Sequence, residues 1–362
     1  MSVKRSLRAV SWTTAVPLAA LVVLAVTWGT TPGGVILAVV GLFLAGSVPA
    51  AVHHAEVVAH RVGEPFGSLI LAIAVTCIEV GLIVTLMVSG GSDTASLARD
   101  TAFAAVMISC NGIVGLSLLV GALRRNVASF NAEGTASALA TVLTLATLSL
   151  VLPTFTTSEP GPEFSSHQLA FAAVASLGLY VLFVFVQTIR HRDYYMPEGA
   201  EDADEHTVQP TNREALASLG LLVVALVAVV GLAKIETPAI EDAVAALGAP
   251  PSAVGVVIAL LVLLPETMAA VRNAHRDRVQ TSLNLALGSA MASIGLTIPA
   301  IAVASIWLEG PLLLGLGSTQ LVLLAITAVV SALTILPGRA TVQEGGVHLA
   351  LVAAFLFLAV NP

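Results

Sequence analysis

What most constrains this chain is a succession of apolar runs, each long enough to cross a bilayer. Eleven can be marked, at about 9–28, 33–52, 66–89, 101–122, 135–155, 167–189, 214–233, 252–271, 280–307, 311–336 and 347–361. About 20 apolar residues cross the hydrocarbon core as a helix, which satisfies its own backbone where no water is present. A membrane barrel would alternate apolar and polar residues over segments of about ten, and these runs are continuous. With 57% hydrophobic and 10% charged residues, the chain has more apolar surface than a soluble domain can bury. The expectation is an all-α polytopic membrane protein of eleven transmembrane helices. Lys4, Arg5 and Arg8 before the first run resemble a signal peptide, but no small-residue cleavage site follows, so the run is read as a retained span. Cys77 and Cys110 both lie within apolar runs and suggest no disulfide framework.

Orientation follows from the basic residues of the connecting loops. With the N-terminus cytoplasmic, the inner loops hold Lys4, Arg5, Arg8, Arg61, Arg124, Arg125, Arg190, Arg192, Arg213, Arg272, Arg276, Arg278 and Arg339. The outer loops hold Arg99 and Lys234, a split of 13 to 2 that uses all 15 basic residues. A miscounted span in the middle would scramble that split. An odd count places the C-terminus outside.

An internal repeat divides the chain. Glu56 stands seven residues before Gly63 and Pro65 follows two later; Glu241, Gly248 and Pro250 repeat the spacing. Glu79 comes fourteen residues after Pro65, and Glu266 sixteen after Pro250. Each of these two carboxylates precedes a run with small and polar residues, Ser109-Cys110-Asn111-Gly112 in one half and Gly288-Ser289-Ala290-Met291-Ala292-Ser293 in the other. Repeated units of five spans have opposite polarity in the membrane. The chain then divides into an extra first helix (1–30), a first five-helix unit (31–190), a cytoplasmic loop (191–213) and a second five-helix unit (214–362). The acidic stretch Glu198–His206 in that loop reads as a solvated linker or a cation-attracting segment.

Glu79 and Glu266 are the acidic residues that fall well inside the predicted runs, and no Lys or Arg lies inside any. An ionisable group at membrane depth costs several kcal/mol and is a functional candidate by default. Two carboxylates brought together across an inverted repeat suit one divalent ion, or one or two protons, in competition. A Ca²⁺ ion takes about six to eight oxygens, and two carboxylates supply at most four. Asn111, Ser109, Thr76, Ser289 and Ser293 are candidates for the rest, and Ser282, Ser289, Ser293 and Thr297 share one helical face. That stripe also reads as close packing by small residues. His53, His54, Glu56 and His60 form an acid–imidazole group at the cytoplasmic end of the second span, read as an interfacial helix end, a pH-sensing gate or a metal site. No phosphate-binding loop of the ATP-driven type occurs, and no metalloprotease motif.

Pro265-Glu266 with Leu283-Asn284-Leu285-Ala286-Leu287-Gly288-Ser289-Ala290, and Gly67-Ser68-Leu69-Ile70 through Ile78-Glu79, resemble the two α-repeats of calcium/proton exchangers (the CAX family), in the bacterial ChaA branch. The resemblance covers about residues 45–340. It implies an eleven-helix plan with an extra first helix. It also implies that Glu79 and Glu266 bind Ca²⁺ or protons, that Asn111, Ser289 and Ser293 are polar positions on the facing helices, and that the acidic run is the segment between the halves. The family motif Gly-Asn-Ala-x-Glu reads Val75-Thr76-Cys77-Ile78-Glu79 and Val262-Leu263-Leu264-Pro265-Glu266 here, so both amides are lost. A site with fewer oxygens accords with the association of the ChaA branch with Na⁺ and K⁺ as well as Ca²⁺.

The expected function is a cation/proton antiporter of the cytoplasmic membrane, exporting Ca²⁺, Na⁺ or K⁺ in exchange for H⁺. Its partners would be inorganic cations, protons and lipid, with no nucleic acid and no cofactor. A passive cation channel is the alternative, and an intramembrane acid–base enzyme is a weaker one, because no nucleophile or metal motif accompanies the carboxylates.

Overall fold

A computed structural model describes residues 11–30, 32–63, 66–90, 95–196, 209–307 and 310–362. Lys4, Arg5, Arg8 and the acidic run 198–206 lie outside them. Among the described residues the chain forms eleven apolar helices: α1 (Trp12–Thr27), α2 (Gly34–Val62), α3 (Phe66–Gly90), α4 (Leu97–Arg125), α5 (Ala132–Thr154), α6 (Ser166–Arg190), α7 (Asn212–Ala246), α8 (Ala253–His275), α9 (Val279–Ala304), α10 (Ser318–Ile335) and α11 (Val342–Val360). Ten are long and apolar enough to cross a membrane. The sixteen residues of α1 rise only about 24 Å.

Two helices run well past the ends expected from their apolar runs. α2 continues from 52 to Val62 and stops at Gly63, whose φ of 77° is a left-handed conformation that suits glycine. α7 continues from 233 through Pro238 to Ala246, before Gly248 at φ 70°. The charges at Lys234 and Glu236 look like a loop in the sequence, yet both find cover. The Lys234 ammonium sits 5.3 Å from the Trp28 ring centre, and Glu236 lies against Gly41 of α2, where a Cβ would come within 3.3 Å of its Oε1. Local caps fix the starts of α6, α7 and α11: Ser165 with Gln168, Thr211 with Glu214 and Thr341 with Glu344 form capping boxes.

The loops sort onto two faces. On one face, β1 (Ala128–Ser129) pairs antiparallel with β2 (Arg339–Ala340), and the Arg124 and Arg125 side chains bind the His275 carbonyl and Asp277. The Arg61 Nε of the same face donates to Asn212 Oδ1 at 2.7 Å. On the other face, Leu313 N donates to the Ala95 carbonyl at 3.1 Å, and Glu163 bridges Leu313. This is the sorting that eleven alternating spans require, and the arginine-rich loops fall together.

The interior has two apolar clusters. One joins α4, α5, α6, α9, α10 and α11 around Phe103, Met107, Leu145, Leu287 and Met291. The other joins α1, α2 and α7 around Leu24, Val48, Ala228 and Leu232. α3 and α8 lie between and feed both: Ile83, Ala259 and Leu263 pack into the first, and Ile78, Leu82, Ile258 and Val262 into the second.

Candidate functional site

α3 and α8 are therefore the helices from which a side chain reaches the seam between the two bodies, and they carry Glu79 and Glu266. The two carboxylates line one cavity of about 310 Å³ together with Thr76 on α3, Ser289 and Ser293 on α9, and Tyr180, Phe183 and Gln187 on α6. Residues at i, i+3 and i+7 on α9, namely Thr281, Asn284 and Gly288, continue that wall toward the helix start. The cavity thus runs from Glu79 and Glu266 to the arginine-rich face, where α6 ends and α9 begins.

The two carboxylates differ in their partners. Glu79 is 4% exposed and accepts a 2.6 Å hydrogen bond from the Ser293 hydroxyl. Glu266 keeps Oε2 shielded from water with no hydrogen-bond partner. Pro265 precedes it inside α8 and leaves the Leu261 carbonyl without its helical donor. Among the described residues lining the cavity there is no Lys or Arg to neutralise either carboxylate. The expectation that the Glu266 helix continues toward Arg272 holds, since α8 runs unbroken to His275.

Other sequence candidates fall elsewhere. Thr76, Ser289 and Ser293 share the cavity with the carboxylates, whereas Ser109 and Asn111 are fully buried outside its lining. The reason lies in α4, where Ile108–Ile113 forms a π turn. That wider turn changes the phase of the helix, and such turns concentrate at specialised sites. The Asn111 amide meets α10 and α11 instead: Nδ2 donates to Thr327 Oγ1 at 3.0 Å, and Oδ1 lies 3.2 Å from His348 Nδ1. The serine stripe also divides, because the Ser282 hydroxyl donates to the Ala270 carbonyl at 2.7 Å and ties α8 to α9.

The histidine group splits as well. His54 is buried, with Nε2 2.9 Å from the Thr13 carbonyl of α1, while His53, Glu56 and His60 stay exposed on another face of α2. Among the described residues no three His, Cys, Asp or Glu side chains are grouped so that they could hold a metal ion.

Sequence reasoning missed two features. Asp100, placed just outside its predicted run, is 3% exposed at the start of α4; it pairs with Arg99 at 2.8 Å and accepts from Ser96 and Gln320. The aromatic wall of α6 was also missed, though Gln187 within an apolar run was a legible signal. Tyr195, just beyond α6, packs edge-on against Phe183 with ring centres 5.8 Å apart, and burial pushes its phenol above the ordinary value.

Comparison with known proteins follows the same lines. The family described as sodium/calcium exchanger protein matches residues 32–189 and again 217–361. The chain is 44% identical over 361 residues to the y4hA protein of Sinorhizobium fredii (strain NBRC 101917 / NGR234), which is named as an ionic transporter; the match takes in 99% of this chain and 98% of the relative. It is 34% identical over 347 residues to the sodium-potassium/proton antiporter ChaA of Escherichia coli (strain K12), covering 94% of this chain and 93% of that one. Among solved structures, native YfkE superposes with a TM-score of 0.73 at 15% identity, covering 97% of this chain and 99% of that one. The H⁺/Ca²⁺ exchanger CAX gives 0.70 at 15% identity, with 96% and 91% covered. At that identity the two structures speak for the fold.

Proposed function

We propose that this chain, which belongs to the sodium/calcium exchanger protein family, is a cation/proton antiporter in which Glu79 and Glu266 bind a cation and protons alternately. One observation carries the reading: carboxylates from two helices of different halves line a single cavity with no basic residue among its lining. The relatives support it, since ChaA is a sodium-potassium/proton antiporter and CAX an H⁺/Ca²⁺ exchanger.

The transported ions are Na⁺, K⁺ or Ca²⁺ against H⁺. Besides the carboxylates, Thr76, Ser289 and Ser293 offer hydroxyl oxygens. A cation entering from the arginine-rich face, taken as cytoplasmic by the positive-inside rule, meets two carboxylates and displaces their protons. Protons arriving from the outer side reverse the exchange and release the cation outward. A gradient of one pH unit supplies about 1.4 kcal/mol per proton. The membrane potential adds about 2.3 kcal/mol per net charge per 100 mV. No resident cofactor takes part in this scheme. The first helix stands outside the five-helix units, and residues 191–213 join them.

Alternation arises from the two bodies. α1, α2 and α7 share one apolar cluster, and their ties, His54 to Thr13, Arg61 to Asn212 and Lys234 to Trp28, stay within it. The ties at both faces of the remaining helices hold those helices to one another. Movement of the first body across α3 and α8 would expose Glu79 and Glu266 to each side in turn.

The test is transport in everted vesicles with a pH-sensitive dye and a panel of Ca²⁺, Na⁺ and K⁺. Glu79→Gln and Glu266→Gln are each expected to abolish cation-dependent proton movement while the protein still inserts. Full exchange by either variant would overturn the assignment.

A further inference from the structure

We propose that the turn following α6, residues His191–Met196, is a strap that sets the width of the cavity's mouth on the arginine-rich face, and that Asn284 and Gly134 are the positioning residues that hold it there. The inference deepens the cation-site reading, on which only its consequence for transport rests.

The turn is fastened to three helices around that mouth. Asn284 of α9 lines the cavity and donates through Nδ2 to the Tyr195 carbonyl at 2.5 Å. Its Oδ1 accepts from Gln280 Nε2 at 2.8 Å, so both polar atoms of the amide are engaged within the protein. Gln280 is itself buried, and its Oε1 accepts from the Asn131 backbone N–H at 2.7 Å, which carries the tie to the start of α5. The second fastening is aromatic. The Tyr195 ring, 6% exposed, stands edge-on to Phe183, which lines the cavity from α6. The third is a close approach of backbones. The Tyr194 carbonyl lies over Gly134 of α5 so tightly that a Cβ there would come within 2.4 Å of its oxygen. The Tyr194 ring meanwhile stacks on His191, with centres 5.2 Å apart.

A short turn seldom needs three independent fastenings. Here all three converge beside the entrance at Gln187, Thr281 and Asn284. Asn284 is half-buried, and its donor goes to the Tyr195 carbonyl rather than to the cavity, so the bond fixes that segment beside the mouth. Phe183 belongs to both the cavity wall and the strap, so loosening the strap moves the wall. The mouth then admits water and ions more freely.

Accessibility tests this without relying on transport. Thr281→Cys, in a background with Cys77 and Cys110 replaced by serine, serves as a probe at the mouth. A membrane-impermeant maleimide is applied to everted and to right-side-out vesicles. Asn284→Ala and Gly134→Ala are each expected to raise the labelling rate several-fold from the same side. Gly134 is not among the residues lining the cavity, so its effect can only come through the turn. Tyr195→Ala should match them. Asn284→Gln, which keeps the donor, should restore slow labelling; Asn284→Asp, of equal size but lacking the donor, should not. If Gly134→Ala fails to reach the membrane, Tyr195→Ala and the Gln/Asp pair decide the matter. Faster labelling in Asn284→Ala alone would mean that Asn284 acts within the cavity and would overturn the strap, as would unchanged labelling throughout. Intact exchange in the Glu79 and Glu266 variants would sink the cation site while leaving the labelling result standing.

Discussion

At the scale of single residues, the asymmetry between the two carboxylates has consequences. Glu79 has a hydroxyl donor in Ser293, and one Glu266 oxygen has none. A hydrogen bond to a charged group contributes about 1.5–3 kcal/mol, so its loss corresponds to roughly ten-fold or more in binding. Ser293→Ala is expected to raise the half-saturating cation concentration about ten-fold near neutral pH. Because the bond stabilises the carboxylate form, protons compete better in the variant, and the affinity should recover toward the parent value as the pH is raised. A dye assay across several pH values reads this, and a deficit that is constant with pH would mean that Ser293 acts as a cation ligand or in packing and not through the charge on Glu79. The carboxylates themselves were legible in the sequence, because a charged group is costly inside an apolar run and is seldom kept there without a use. Asn111 was not, although it looked as strong. Its direction depends on a π turn, and one wider turn alters helical phase without any compositional sign.

At the scale of helices, the pairing of α4 with α11 shows what holds the larger body together away from the cavity. A Cβ at Gly345 of α11 would lie 2.8 Å from the Leu119 backbone nitrogen, and one at Gly115 of α4 would lie 3.0 Å from the His348 Cβ. Small residues let the two backbones touch, and the fully buried His348 joins Asn111 and Thr334 beside that contact. Gly345→Ala must push helix against helix and is expected to cost about 1–3 kcal/mol. Gly346→Ala, with open space at its Cβ, should be neutral or stabilising by up to about 1 kcal/mol. Thermal unfolding of the two variants in detergent separates these outcomes, and equal melting temperatures would contradict the close approach. The existence and order of the helices could be read from hydropathy, whereas the true lengths of α2 and α7 could not. Lys234, Glu236 and Pro238 together look like a helix end. A side chain that finds an aromatic ring, or a glycine notch on a neighbour, removes the reason for the chain to turn.

At the scale of the whole molecule, the protein is a multi-pass membrane transporter of the exchanger family and not an enzyme. What a transporter needs is relative motion around a fixed site, and the two apolar clusters mark where it would occur. α3 is the shared surface: Glu79 faces the cavity from it, and Gly81, two residues on, meets Val230 of α7. A Cβ at Gly81 would lie 3.8 Å from the Val230 Cβ, the mean separation, about 3.8 Å, that a disulfide adopts. Gly81→Cys with Val230→Cys, on the background lacking Cys77 and Cys110, is therefore expected to close a disulfide under mild oxidation. If α7 slides across α3 in each cycle, the bond arrests exchange, and reduction restores it in the same vesicles. Either single cysteine should transport with or without oxidant. The cross-link is scored independently, by gel mobility after cleavage at a protease site introduced into the 191–213 loop. Undiminished exchange in fully cross-linked protein would mean that α3 and α7 travel together. The moving boundary would then have to lie on the other side of α3, between Glu79 and the wall that carries Ser293.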